Sequence, residues 1–279
     1  MEEENMGELV KAPDGLPAEI VGEWAKEKHD CLNRYIDISR GVRKKFVGED
    51  GAGATYIDPF CGPGLCKIKN TNEYIDGGAV AAWKKSVAGG APFSQVLIGD
   101  LDKERLAAAE QRLRTLGAPV KIYQGSATET IKTIVNSLNA YALHFAFLDP
   151  YNLETLDFNI IETLSALKRI DMLVHISKMD LQRNGAKYIS KEEHSSLDSF
   201  IPGWRQRIDV ARGNQVQREQ VFECWKDLIE STGVYSSSDV RLITGSKNQH
   251  LYWLLLAAKN DLALKFWKTA VDTGQGSLF

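Results

Sequence analysis

Residues 55–64 read T-Y-I-D-P-F-C-G-P-G, and the reading of this stretch decides the fold. Thr55, Tyr56 and Ile57 are β-branched or aromatic, the mark of a short buried strand. Asp58 stands where that strand ends. The chain must then turn, and Gly62 and Gly64 supply permissive dihedrals and bare backbone that lets a ligand come close. A strand, an acidic residue at its carboxyl end and a glycine turn make a nucleotide-type site at the edge of an α/β sheet. The stretch lacks both the third glycine of G-x-G-x-x-G and the G-K-[ST] of a phosphate-cradling loop. An ordinary strand-to-helix loop also accommodates a G-x-G turn, so the residues downstream of Gly64 decide between the two.

Those downstream residues alternate between strand and helix. Gly77-Gly78 opens a helix through 79–87. Gln95–Gly99 is a strand ending in Asp100-Leu101-Asp102, and Lys103–Leu116 a helix stopped by Gly117. Strand Val120–Tyr123 and helix Thr128–Leu138 precede strand Leu143–Leu148, which runs into Asp149-Pro150-Tyr151. Helix Ile160–Leu167 and strand Met172–Ile176 complete the run. Strands and helices at this spacing imply right-handed crossovers and a mostly parallel, doubly wound sheet.

The flanks read differently. Residues 1–16 are acidic and aperiodic, which predicts a flexible arm. Pro17 suits a first helical position, and Leu32, Tyr35, Ile36, Val42 and Phe46 recur on one face, so 17–47 reads as helical. The polar run Lys67–Asp76 reads as a loop over a ligand. Regularity fails from Met179 to Gln215, where Arg183, Lys187, Lys191, Arg205, Arg207 and Arg212 lie among glycines and Pro202. Glu219–Ile229 is an amphipathic helix, Val240–Ile243 and Leu251–Ala258 an antiparallel pair at one sheet edge, and Leu262–Val271 a closing helix before a frayed tail. The expected organisation is one domain over 17–279: N-terminal helices over 17–53, a ligand-binding core over 54–178, a loop-rich insertion over 179–216, and a C-terminal helix, edge strands and closing helix over 217–279.

The bulk numbers bound the function classes. With 279 residues, 43% apolar and 25% charged, the chain has the composition of an ordinary globular protein. A net charge of −3 and a pI near 6.0 argue against binding nucleic acid by bulk charge, while leaving room for a local basic patch. Cys31, Cys61, Cys66 and Cys224 form no C-x-x-C pair and have no histidine at ligand spacing, so no metal site is expected. The N-terminus, M-E-E-E-N, lacks the positive region of a signal peptide, and the longest apolar run, Leu251–Ala258, is too short to span a bilayer. A reduced, cytoplasmic chain without a membrane span is the expectation.

Three strand tips carry carboxylates: Asp58, Asp100 and Asp149. Ligands of doubly wound sheets bind outside such tips. Asp100, one strand–helix unit after Asp58, is placed to accept both hydroxyls of a ribose, with Asp102 as the neighbouring option. The next tip is Gly125-Ser126-Ala127, where a small polar side chain can meet an adenine edge. The competing explanation for each is a helix N-cap, since Ser and Asp after strands usually cap the following helix.

D-P-F-C-G-P-G, G-D-L-D, G-S-A and L-D-P-Y, in that order, resemble motifs I to IV of Rossmann-like S-adenosylmethionine (SAM) methyltransferases of class I. The chain resembles still more the three-Cys-motif partner protein family, through K-H-x-x-L-x-x-Y (Lys28, His29, Leu32, Tyr35), I-x-G-G-A at 75–79, D-M-L at 171–173 and H-L-Y-W-L-L-L-A-A-K near the end. The resemblance covers about residues 20–272. It implies a class I methyltransferase fold, SAM as cofactor, and pairing with a cysteine-motif protein in a prokaryotic or phage setting. The cofactor residues it implies are Asp58, Phe60, Gly62, Gly64, Asp100, Leu101, Ser126 and Ala127, with Lys28 and His29 on the site floor.

The departures from the pattern bear on the acceptor. Base-amine methyltransferases carry [DNS]-P-P-[YF], in which the first residue grips the amine and the aromatic ring stacks on a flipped base. This chain reads D-P-Y-N, one proline short, so Asp149, Pro150 and Tyr151 are the catalytic candidates with an altered loop. Gly77-Gly78-Ala79 replaces a G-S-P-type segment. The expected acceptor is a nucleic-acid amine, met through Arg183, Arg205 and Arg207 of the 179–216 stretch. His144 and His175 fall inside strands and read as core or edge residues, while Lys178 and Asp180 flank the site. No Ser-His-Asp or Cys-His spacing supports a hydrolase. The rival readings are a non-catalytic partner subunit that keeps the fold as a scaffold and, opposed by the missing glycine, an NAD-type oxidoreductase.

Overall fold

The computed structural model describes residues 7–191 and 193–272. Its elements in chain order are β1 (Leu9–Lys11), β2 (Pro17–Val21), α1 (Ala25–Ile38), α2 (Arg40–Lys44), β3 (Ala54–Asp58), β4 (Leu65–Ile68), β5 (Tyr74–Asp76), α3 (Gly78–Ala88), β6 (Gln95–Asp100) and α4 (Lys103–Thr115). Next come β7 (Val120–Gln124), α5 (Ala127–Asn136), β8 (Leu143–Leu148), α6 (Phe158–Ser165), β9 (Ile170–Ser177), α7 (Lys178–Ser190) and α8 (Ser196–Phe200). After a 3-10 turn at Trp204–Gln206 the chain closes with α9 (Asn214–Ser231), β10 (Tyr235–Ser236), β11 (Arg241–Thr244), β12 (His250–Ala258) and α10 (Asp261–Val271).

The main sheet has the order β10-β12-β9-β8-β3-β6-β7, with β11 also paired to β12. Strands β9, β8, β3, β6 and β7 are parallel, and β12 runs antiparallel beside β9. Order and direction are those of a Rossmann-like class I methyltransferase fold. Alternation along each strand divides the apolar residues between two cores. Ile57, Leu97, Ala146 and Val174 face α5, α6 and α9 on one side. Tyr56, Val96, Phe145 and Leu173 face α1, α3, α4 and α10 on the other. Both faces being covered, the strands read as near-continuous apolar runs.

Four expectations are corrected. The arm expected over 1–16 is structured from residue 7: β1 pairs antiparallel with β2, which takes the place of the helix expected from Pro17. Proline is tolerated there because it is the first residue of its strand. The loop expected at Lys67–Asp76 is a hairpin, β4 against β5, and β4 pairs parallel with β2 to make a second sheet of order β1-β2-β4-β5. This sheet joins the expected arm and N-terminal segment, through β1 and β2, to the start of the expected core, through β4 and β5. The loop-rich insertion over 179–216 is largely helical, α7 continuing from β9 without a break. Ser177 caps α7 by accepting from the Asp180 N–H, and Leu181, Gly185 and Tyr188 bury its inner face. The charges that masked this helix lie on its outer side. Residues 1–6 of the expected arm, and the tail beyond 272, lie outside the described residues. No helix among the described residues is long and apolar enough to cross a membrane.

Candidate active site

Register brings the site together. In β3, Ile57 pairs with Ala146 of β8, and Leu148 of β8 pairs with Val174 of β9. The next residue of each of the latter strands, Asp149 and His175, are therefore neighbours. His175 Nδ1 lies 2.7 Å from Asp149 Oδ1, and a carboxylate only accepts, so Nδ1 is the donor. The other oxygen, Oδ2, accepts from Lys28 Nζ at 2.5 Å. Lys28 arrives on α1, whose buried face packs on the sheet. Tyr252 of β12 packs beside His175 with ring centroids 4.1 Å apart.

These groups share a cavity of about 140 Å³ outside the carboxyl ends of β3, β8 and β9, roofed by Glu19, Ile20 and Val21 of the small sheet. Burial opposes the charge on Asp149, but the Lys28 ammonium and the His175 hydrogen bond outweigh it and hold the carboxyl well below its usual range. Burial keeps the His175 imidazole below its ordinary value despite Asp149, so the ring is neutral. Its Nε2 is buried and makes no hydrogen bond. His29, next to Lys28 on α1, also lines the cavity; burial and then the Lys28 charge lower its pKa to about 4.

The glycine turn forms another wall. Asp58 is 1% exposed; Oδ1 accepts from the Phe60 N–H and Oδ2 from the Tyr56 hydroxyl. Burial, and then the Asp149 charge, push its carboxyl up to about 8. Gly62 donates its N–H to Asp100 Oδ2 at 3.0 Å, and the Asp102 N–H donates to Oδ1. Gly64 has φ +79°, and a Cβ there would meet Val80 at 3.1 Å and Ala109 at 3.2 Å. Its bare backbone thus makes room for α3 and α4 rather than for a ligand alone.

The candidate residues divide into those that line the cavity and those that do not. Asp58, Phe60, Gly62, Gly64, Lys28, His29, Asp149, Pro150 and Tyr151 line it. Asp100 stands behind Gly62 and positions it. The capping alternative wins for Asp102, which caps α4, and for Ser126, which caps α5 in a reciprocal box with Glu129. Ala127 is buried in the first turn of α5, and Leu101 is 71% exposed. The Tyr151 hydroxyl donates to Glu19 Oε1 at 2.6 Å, and Arg105 bonds both. Arg183 and Arg207 are exposed, and Arg205 pairs with Asp198; these three stand outside the cavity wall. His175 and Tyr252 are site residues that the sequence reading did not select: it left His175 as a core or edge residue and Tyr252 within the edge strand Leu251–Ala258. The signal that could have found His175 is its position opposite the D-P-Y strand tip. Among the described residues, no group of three or more His, Cys, Asp or Glu is placed to hold a metal ion.

No family model matches the chain, and no curated protein matches it. Among solved structures it is similar to a protein from Legionella pneumophila str. Philadelphia 1, with a TM-score of 0.50 at 10% identity over 88% of this chain and 91% of that one. It is also similar to M. jannaschii TYW2 in complex with AdoMet (TM-score 0.47, 10% identity, 92% of this chain and 87% of that one). A third is an O-methyltransferase from Bacillus cereus in complex with SAH (TM-score 0.45, 10% identity, 81% of this chain and 80% of that one). Likeness at this identity speaks to the fold alone.

Proposed function

We propose that the cavity binds SAM and that the chain transfers its methyl group to a protic acceptor, with His175 taking the acceptor's proton. The observation that carries this reading is the Asp149–His175 pair, with His175 Nε2 buried and unpaired in the cavity wall. Asp149 fixes the tautomer with the proton on Nδ1, which leaves Nε2 as the accepting nitrogen. Lys28 supports the dyad by keeping Asp149 ionised.

The residues present fit the cofactor. Asp58 is a carboxyl that burial and then the Asp149 charge push up to about 8, and a sulfonium beside it would favour its ionised form. Phe60, Gly62 and Gly64 wall the same side. Asp100 holds Gly62 in place, while Leu101, Ser126 and Ala127 stand outside the cavity wall. SAM, when bound, supplies a methyl group on a positively charged sulfur, so the protein's task is mainly in-line positioning. Phe147 and Tyr252 exclude water from the wall where the acceptor is held.

We take the acceptor to be a nucleic-acid amine. In support, α7 leaves β9 directly at the cavity wall, through Ser177 and Met179, and the segment it opens presents Arg183, Arg205 and Arg207 on its outer side. Phosphate contacts from such residues position a chain without reading its bases. The test is transfer of label from tritiated SAM to a pool of RNA and DNA. Label in nucleic acid supports the reading; SAM binding with label appearing elsewhere leaves the cofactor and removes this acceptor.

One observation favours a second reading. Both Asp149 oxygens are already taken, by Lys28 and by His175, so neither stands open to an acceptor amine. A scaffold subunit paired with a three-Cys-motif protein would hold its site in this way. Such a chain binds SAH yet transfers no methyl alone, and the same experiment separates the two.

A further inference from the structure

The small sheet stands apart from the rest of the fold. Among the described residues, no side chain of β1, β2, β4 or β5 belongs to either apolar core. Yet Glu19, Ile20 and Val21 of β2 roof the cavity at the strand tips, and Cys66 of β4 lines it beside them. A cover that buries little apolar surface opens at a lower free energy than the core beneath it.

Polar contacts from α4 hold this cover down. Arg105 and Arg112, seven residues apart and so on one face of the helix, are each 8% exposed. Arg112 grips both Asp14 carboxylate oxygens, at 2.8 and 2.9 Å, in the turn between β1 and β2. It also donates to the Pro17 carbonyl of β2 at 2.7 Å and to the Pro63 carbonyl of the glycine turn at 2.6 Å. Arg105 donates to the Gly7 carbonyl, pairs with Glu19 at 3.0 Å and bonds the Tyr151 hydroxyl. Each arginine therefore ties the cover to a wall of the cavity, one to the glycine turn and the other to the D-P-Y loop.

A glycine stands at each junction of cover and body. Gly22 follows β2, Gly64 precedes β4 and Gly77 follows β5. The Gly77 N–H donates to the Gly64 carbonyl at 2.9 Å, which closes the base of the β4–β5 hairpin. Hinges are a few residues at element ends that absorb large dihedral changes, and glycine absorbs them with the least strain.

We propose that the small sheet is a lid on this cavity, clasped shut by Arg105 and Arg112 and swinging on Gly22, Gly64 and Gly77 to admit a ligand. The proposal rests on the reading of the cavity as a ligand site, whichever ligand that is, and its main test needs none.

The test is labelling of the full chain with N-ethylmaleimide, followed at each cysteine by mass spectrometry. Cys66 is 8% exposed and lines the cavity on the inner side of the lid, whereas Cys31 is 1% exposed within the core around α1. Burial raises both thiols, Cys66 to about 12 and Cys31 to about 11, so neither reacts while covered. Lid opening bares Cys66 and leaves Cys31 in place, so Cys66 is expected to react faster by about tenfold or more. Asp14 does not line the cavity, and Asp14→Ala removes one clasp. That variant is expected to quicken Cys66 by about fivefold to tenfold and to leave Cys31 at its wild-type rate. Should it not fold, Asp14→Asn removes only the charge and is expected to shift Cys66 the same way by less. Equal rates at Cys66 and Cys31 in wild type, or a clasp variant that quickens both alike or neither, overturns the proposal. SAH separates the lid from the cofactor reading. Protection of Cys66 by SAH supports both; if SAH leaves Cys66 unchanged while Asp14→Ala still quickens it, the lid stands and the cofactor reading falls.

Discussion

Asp149 and His175, 26 residues apart in sequence, are joined by a 2.7 Å hydrogen bond that strand register alone dictates. Because Leu148 pairs with Val174, the next residue of each chain segment must meet the other at the carboxyl end of the sheet. Lys28 then closes on the free oxygen of Asp149 from α1. The result is a chain of three groups in which charge is matched and one imidazole nitrogen is left for an acceptor.

His175→Gln removes the basic nitrogen while retaining a side chain that can donate to Asp149. The variant is expected to keep SAM affinity and to lose transfer by about 10²–10⁴-fold, the usual worth of a general base. Rate and binding measured on the same preparation check this. A variant with wild-type transfer assigns His175 to packing.

Asp58 makes SAM binding depend on pH. Its folded pKa, about 8, lies above the usual 3.8, so the buried acid stabilises the fold below pH 3.8 and that contribution is lost as pH rises through 8. A cation lowers the pKa again. Affinity for SAM relative to SAH, which lacks the sulfonium charge, is therefore expected to rise between pH 6 and 9, by about tenfold for each unit of pKa the cation displaces. Asp58→Asn should flatten that rise and also the loss of thermal stability between about pH 4 and 8.

Lys28→Met leaves the Asp149 charge buried without its ammonium. The expected destabilisation is about 3–5 kcal/mol at pH 8, as for a broken buried pair. It should shrink at pH 5, where His175, freed of the Lys28 repulsion, can take a proton and pair with Asp149. Urea unfolding at the two pH values decides it, and an equal loss at both excludes the compensation.

The parallel core is legible in the sequence, because β3, β6 and β8 are mostly apolar and each ends in or runs directly into a carboxylate. The small sheet is not: β1, β4 and β5 have three or four residues each and owe their pairing to one another rather than to a periodicity of their own. Helix α7 is hidden by the polar outer side that an exposed helix carries. In the site, Asp58, Asp149 and the glycine turn are readable from the strand-tip pattern. His175 is not, because its role depends on which strand lies beside β8, and that is a property of topology. Capping versus binding at Asp102 and Ser126 is decided by side-chain geometry that spacing does not contain.

Gly64→Val acts on the fold before it reaches a ligand. A side chain at φ +79°, pressed on Val80 and Ala109, is expected to destabilise the protein by roughly 2–4 kcal/mol from left-handed strain and overpacking together. A urea midpoint unchanged from wild type contradicts the packing role.

Replacing Arg183, Arg205 and Arg207 together by Ala leaves the cavity wall untouched, so SAH affinity is expected to stay as in wild type. Nucleic-acid affinity should fall across sequences, with the salt slope shallower by up to about 3 for three lost phosphate contacts. Gel shifts over a salt series check this. An unchanged slope removes these residues from the acceptor surface.

The central claim is that the cavity at the carboxyl ends of β3, β8 and β9 is a SAM site. Its most direct test is calorimetric titration of the wild-type chain with SAH and, separately, with NAD. One SAH is expected to bind per chain, weakened by about tenfold or more when Asp100→Ala frees the Gly62 turn, and NAD is expected to give no heat. Binding of NAD without SAH, or of neither, contradicts the claim.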